Sequence, residues 1–223
     1  LEARLSNVSK ADDKNQILNE QLGIVRADTA AYEKNYNDAL SYRSSQGKLA
    51  SNTLKKDKSK TLKSSQKSKI NKLISQNKPI PDNLLNLCSP KTQEQLSKYN
   101  ASLDWVSDAW KNKNLNAEQS ATKEREIEIE KHQNLADKHQ AVLNRHSAQK
   151  NLETTGVGKN AHIQEEIQAT NALYNEKIAI AQIEGNIDEM QQLQAEREKA
   201  IRDLEAERHL NLATDYQAQL DTL

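Results

Sequence analysis

Phenylalanine is absent from this chain, cysteine and methionine occur once each, and only three prolines and five glycines punctuate 223 residues. A lone Cys88 excludes an internal disulfide framework and any zinc site built on cysteines. With 35% hydrophobic and 4% aromatic residues, there is too little apolar matter for a layered globular core of this length. No apolar run approaches the length needed to cross a bilayer, which points to no membrane contact by this segment, and the amino end lacks the basic and apolar regions of a signal peptide. The first residue is Leu, so a piece of a longer soluble chain is expected. Net charge is zero, which argues against the whole chain being an electrostatic binder of nucleic acid or membrane. The charge is nonetheless uneven: residues 48–78 hold ten lysines against one acid, Asp57, and residues 118–130 hold five glutamates.

What remains is helix-forming polar sequence interrupted at regular intervals by Leu, Ile and Val. Steps of three and four visit Leu1, Arg4, Val8, Ala11, Asn15, Leu18, Leu22, Val25, Thr29, Tyr32, Tyr36, Ala39 and Arg43. That is a heptad seam over six repeats, with Asn15 a candidate register-setting polar residue. Arg43–Gly47 reads as a helix stop, giving an amino-terminal helix over 1–46. Residues 163–223 contain no proline and one glycine, and Ile180, Ile183, Ile187, Met190, Ile201 and Leu204 mark a narrow apolar stripe. A stripe so thin must lie on another helix, so the function it suggests is assembly. Eleven-residue spacings, Met190 to Ile201 and Leu193 to Leu204, favour a straight or gently drifting bundle.

Residues 47–116 read as a helical hairpin whose proline-rich turn spans 78–90. Pro79 and Pro81 end a Lys/Ser-rich helix that firms toward Ile74, Asp82 can cap a short turn carrying Leu84, Leu85 and Leu87, and Ser89-Pro90 starts the return helix. Leu96, Tyr99, Leu103, Val106 and Trp110 form its seam, spaced to pair with residues 62–74, with Trp105 beside it. The lysines of 48–78 admit phosphate binding, but no aromatic or arginine is interleaved to stack on or read bases, so a solvated face is the favoured reading. Residues 117–155 form a polar helix in which His132, His139 and His146 recur every seven residues. Histidines seven apart are about 10.5 Å apart along a helix, too far to share one ion. In a parallel oligomer each would form its own ring, able to bind a metal or anion or to make stability depend on pH.

Residues 152–161 contain Gly156 and Gly158 in a sequence that invites a phosphate-loop reading, but Glu153 and Asn160 stand where that loop needs Gly and Ser or Thr. The glycines read as a helix stop and hinge before a long carboxy-terminal helix over 156–223. No pairing of carboxylates, nucleophile and base, or metal ligands rises above the background of a charged helix. The expectation is therefore no enzyme, no cofactor and no small-molecule substrate, in an all-α protein of long helices forming coiled coils and helical hairpins, elongated and with little globular core.

The stretch Ile70-Asn-Lys-Leu-Ile-Ser-Gln-Asn-Lys-Pro-Ile-Pro-Asp-Asn-Leu-Leu85, followed by Leu96-Ser-Lys-Tyr-Asn-Ala-Ser-Leu103, resembles the tail tape measure proteins of long-tailed phages and prophages of Gram-positive bacteria. There a similar hairpin recurs between long helices. Residues 174–188 and the Gln/Glu/Arg-rich helix after them are similar in character. The resemblance implies an internal coiled-coil fragment of a long helical virion protein. Such a protein lies in the lumen of the tail after assembly in the bacterial cytoplasm, sets tail length, templates the tube and leaves ahead of the genome at ejection. Its partners would be copies of itself, in a trimer-like homo-oligomer, and tail tube and assembly proteins. A generic coiled-coil scaffold or stalk mediating protein–protein interaction is the alternative; weak nucleic-acid binding through the Lys-rich stretch stands third.

Overall fold

Before Pro79 the chain holds no proline, and Ala, Leu, Lys, Gln and Glu, all strong helix formers, dominate throughout. The structure, a computed structural model, describes the backbone of residues 2–221 and the side chains of residues 11–217 and 220–221. It is all-α: α1 Glu2–Lys56, α2 Ser64–Ser75, α3 Asp82–Leu85, α4 Pro90–Lys150, α5 Gly156–Glu184 and α6 Ile187–Leu220, with no strand among the described residues. These helices form two compact units. One is Ile24–Thr122, the hairpin unit; the other joins Leu1–Gly23 to Lys123–Leu223, the bundle unit, and α1 and α4 contribute to both.

Three helix boundaries differ from those the sequence suggested. The stop expected at Gly47 is absent, and α1 continues to Lys56. Ala50 and Leu54, beyond the glycine, are fully buried, and that burial outweighs the roughly 1 kcal/mol that glycine costs a helix interior. The division at 116/117 is also absent, because α4 runs unbroken from Pro90 to Lys150 and buries Ser120 and Ile127 along the way. Conversely, the helix expected over 156–223 is broken at Gly185, which adopts φ 76°. Its N–H donates to the Gln182 carbonyl, and the Asn186 N–H donates to that of Ala181. This pair of bonds closes α5 in a Schellman motif, for which the left-handed conformation of glycine is suited. Asn186 then opens α6, its Oδ1 accepting from the Glu189 N–H at 3.2 Å while its amide donates to the Glu189 carboxylate at 2.8 Å.

The proline turn forms where it was expected. Lys78 N–H donates to Leu73 O and Asn77 N–H to Ile74 O, so α2 ends in a second Schellman motif, with Asn77 in the left-handed role at φ 53°. Asp82 is the first residue of α3 rather than its cap, a position held by Pro81. The short turn delivers Leu84 and Leu85 into a cluster with Ile70, Ile74, Ile80, Cys88, Leu96 and Tyr99, closed from α1 by Ala50 and Leu54. Asn100 clamps the turn: its Oδ1 accepts from Ile80 N–H and its amide donates to Ile80 O, both at 2.9 Å. The buried Tyr99 hydroxyl reaches the carbonyls of Ile74 and Lys78 at 3.3 and 3.4 Å. Ile80, Tyr99 and Asn100 are thus the residues that pin this turn.

Candidate functional site: the helix seams

The side chains singled out for self-association lie mostly along helix–helix contacts inside one chain. On α1, Leu18 and Leu22 are buried and Val25 and Tyr36 half-buried, whereas Tyr32 is exposed. Leu1, Arg4 and Val8 lie outside the residues whose side chains are described. On α4, Leu96 and Tyr99 are buried and Leu103 and Val106 half-buried. Trp110 is 53% exposed, and its neighbour Ala109 is buried in the seam instead. Trp105 lies outside as well, meeting Tyr42 edge-on with ring centroids 5.4 Å apart.

In each unit α1 and α4 run antiparallel, fixed by polar layers. Within the hairpin unit, Gln95 donates to Gln46 at 2.7 Å and Lys113 pairs with Glu33 at 2.9 Å. Within the bundle unit, Asn134 donates to Asn15 at 3.1 Å and Lys138 pairs with Asp12 at 2.9 Å. Asn15 thus meets an amide across the seam, as a register-setting residue does: shifting the helices by a turn would leave a half-buried amide facing apolar or like groups. The exposed ion pairs contribute little to stability, on the order of 0 to 1 kcal/mol each, but they reject a parallel pairing that would separate them.

Of the three histidines that would form rings if the helix were in a parallel oligomer, His132 and His146 meet side chains of α5 within the chain. His132 Nδ1 lies 2.6 Å from a Glu176 carboxylate oxygen, His146 Nδ1 lies 3.4 Å from His162 Nδ1, and His139 between them is half-buried. The second pair has a forced polarity. Arg145 can only donate, and its Nη2 sits 3.2 Å from His146 Nε2. His146 therefore carries its proton on Nδ1 and donates to His162 Nδ1, which leaves the His162 Nε2–H facing the Glu153 carboxylate at 3.6 Å. Burial lowers the His146 pKa, helped by the neighbouring Arg145 and His162 and opposed by Glu165 and Glu166. Among the described residues no group of three or more His, Cys, Asp or Glu side chains is arranged to hold a metal ion.

Further along, Lys150 bridges Glu166 of α5 at 2.9 Å and Glu207 of α6 at 3.0 Å. Burial lowers the Lys150 pKa, but the bonds to both glutamates outweigh it and the net shift is upward. Glu166 is 2% exposed, and its second oxygen, Oε1, has no hydrogen-bond partner. The α5–α6 hairpin is closed by a cap the sequence did not announce. Asp215 accepts from Gly156 N–H at 2.9 Å and Val157 N–H at 2.8 Å, placing its charge on the amino end of α5. A Cβ on Gly156 would lie 2.5 Å from Asn211 O and 2.6 Å from the Asp215 carboxylate, so glycine is required. Ile180, Ile183, Met190, Ile201 and Leu204 are half-buried, and Ile187, two residues past Gly185, is 64% exposed.

A comparable cap starts α4. Asp57 accepts from Ser89 N–H and Oγ–H at 2.9 and 3.0 Å and from Ser59 N–H at 2.7 Å. Burial pushes its pKa up, but hydrogen bonds from Thr92, Ser59 and Ser89 prevail and hold it at about 2. In the linear chain Asp57 is merely the odd acid in a lysine run; its role depends on Ser89 being folded back across thirty-two residues. No family model, curated protein or solved structure matches this chain.

Proposed function

We propose that this chain is an internal helical segment of a tail tape measure protein of a long-tailed phage or prophage, a spacer that sets tail length and templates the tube. The observation that carries the reading is the pair of unbroken helices of 55 and 61 residues, held in register by amide layers and joined through a turn pinned by the residues of the family-like stretch. Helices of that size measure about 80 and 90 Å at 1.5 Å per residue, a length fixed by residue count, which is what a ruler requires. On this reading the protein is not an enzyme and works in the tail lumen, after assembly in the host cytoplasm with tail tube proteins. Its elongated, coiled-coil character belongs to the assembled parent chain. Trimer-like association would use side chains that the intrachain seams leave outside, such as Trp110, Ile187, Leu210 and Tyr216.

Closure of the α1–α4 seam within one chain favours a second reading, a helical scaffold or stalk that spaces other domains without a tail. One experiment separates the two. Deleting four heptads from α1 and the facing four from α4 in the parent chain should shorten phage tails by about 42 Å, as seen by electron microscopy. Tails of unchanged length would leave the scaffold reading standing.

A further inference from the structure

The hairpin unit carries 17 Lys and Arg against 9 Asp and Glu, a net +8, and the bundle unit the reverse, 15 against 23. The excess is not spread evenly over the hairpin unit. A groove of about 580 Å³ beside α1 is lined by Arg43, Lys48 and Lys55, with Asn71 and Asn77 from α2 and its end, and no Asp or Glu lines it. The Arg43 Nε is buried in its wall without a hydrogen-bond partner. A second groove, of about 750 Å³, shares Asn52 with the first and presents Lys56, Lys58 and Lys91. Its one acid, Asp57, is already engaged by Ser59 and Ser89. Among the described residues, none of these six cations is ion-paired. Six unpaired cations in two adjoining grooves flanked by amide and hydroxyl donors repel one another and are stabilised by a multivalent anion.

We propose that these grooves bind the phosphate backbone of nucleic acid, without reading its sequence. A chain of phosphates fits better than one, because the cations recur along α1, with Lys48 and Lys55 about 10.5 Å apart along its axis. Stacking on bases is not available in this groove: its one aromatic side chain, Tyr99, is 1% exposed and bonded through its hydroxyl, so affinity rests on charge and falls with salt. The linear sequence argued against this site because no arginine lies within the lysine run; Arg43 stands just before that run on α1, and the fold adds the facing wall of Asn71 and Asn77.

The test is fluorescence anisotropy of the intact 223-residue chain with a labelled DNA duplex of about 20 base pairs and arbitrary sequence, from about 50 to 200 mM salt. Binding should be equal for two unrelated sequences and fall steeply with salt. Arg43→Gln/Lys48→Gln/Lys55→Gln should reduce the slope of log K against log salt by about 2.7, or about 0.9 for each phosphate no longer neutralised. Lys34→Gln/Lys98→Gln/Lys111→Gln, an equal change of charge outside the grooves, should leave the slope nearly unchanged. Asn71→Asp, which puts a carboxylate into the groove with no change in side-chain size, should weaken binding independently of the triple variant. Equal reductions in the two triple variants would overturn the proposal in favour of diffuse charge. So would absence of binding at the lowest salt, or a salt-sensitive self-association abolished by the groove variant, which would make the acidic unit of a second copy the occupant.

Discussion

The two units differ in what crosses between their helices. In the hairpin unit, short helices and a proline turn bring Ile, Leu, Tyr99 and Cys88 into one contiguous apolar cluster, and the basic residues stay outside. In the bundle unit, the interfaces between α4, α5 and α6 are crossed by His132–Glu176, His146–His162, Lys150 with Glu166 and Glu207, and Arg197 with Asn175 at 2.7 Å. Apolar burial is nondirectional and tolerates small shifts, whereas each polar crossing demands a particular residue opposite it. Both units bury apolar area, Leu18, Leu22, Ile127, Ile163, Ile167 and Leu173 doing so in the bundle unit, but there the ion pairs and imidazole contacts between helices add a stronger demand on register. Overall neutrality conceals this division, since a charge of +8 on one unit is balanced by −8 on the other.

The comparison can be broken most directly at Leu96, which is completely buried in the apolar cluster. Leu96→Ala should destabilise the hairpin unit by about 2–5 kcal/mol. Both tryptophans lie in that unit, so the fluorescence midpoint in urea should fall further than the midpoint followed by circular dichroism, which reports all helices. Coincident shifts would show that α1 and α4 couple the units into one transition.

Asp57 tests the polar contribution to the stability of the hairpin unit. Its folded pKa, about 2, lies below the ordinary 3.8, so its stabilisation is complete above about pH 3.8 and disappears as pH falls through 2. The shift corresponds to about 2 kcal/mol, and Asp57→Asn should remove that amount at pH 7 and flatten the acid limb of the fluorescence-detected melting curve. An unchanged acid limb would mean that the Ser89 end of α4 is capped without it.

In the bundle unit, Gly156→Ala should cost about 1–3 kcal/mol, because its Cβ meets backbone and the capping carboxylate of Asp215. Gly23→Ala meets nothing within 4 Å and should stabilise by up to about 1 kcal/mol. Calorimetric melts of the two variants should thus move in opposite directions. The smallest effect belongs to His146. Its folded pKa is below the ordinary 6.5, so its contribution is complete above 6.5 and is lost as pH falls through the lower folded value. Protonation of His146 would place its second N–H, on Nε2, against the Arg145 guanidinium. A shallow loss of helicity below pH 6.5, removed by His146→Asn, is the expected signature; a titration identical in both proteins would show that the imidazole pair is not the sensor.

Much of the local structure was legible. Heptad spacing located Leu18, Leu22, Leu96 and Tyr99 on buried faces, and prolines placed the turn, because helical periodicity and the missing proline N–H act over a few residues. The Gly185-Asn186 break was legible too: glycine followed by Asn and, three residues on, Glu189 is a stop and start signal that a proline-free reading passes over. Gly47 carries the first half of that signal and is nonetheless helical, because Ala50 and Leu54 find a partner surface.

By itself, then, the sequence determined that this protein is helical, where its turn lies and which stripes are apolar, since propensity and periodicity are properties of neighbouring residues. Only the tertiary structure decided what those stripes meet. A heptad seam fits a second copy or another helix of its own chain equally well; within this chain Gln46 meets Gln95 and Asn15 meets Asn134. The placement of Asp57 on Ser89, of Asp215 on Gly156 and of Asn71 and Asn77 opposite the cations of α1 has the same origin. Electrostatic and hydrogen-bonding partners are chosen by distance in space, and in a chain that folds back through the 78–90 and 151–155 turns that distance is not written in residue numbers.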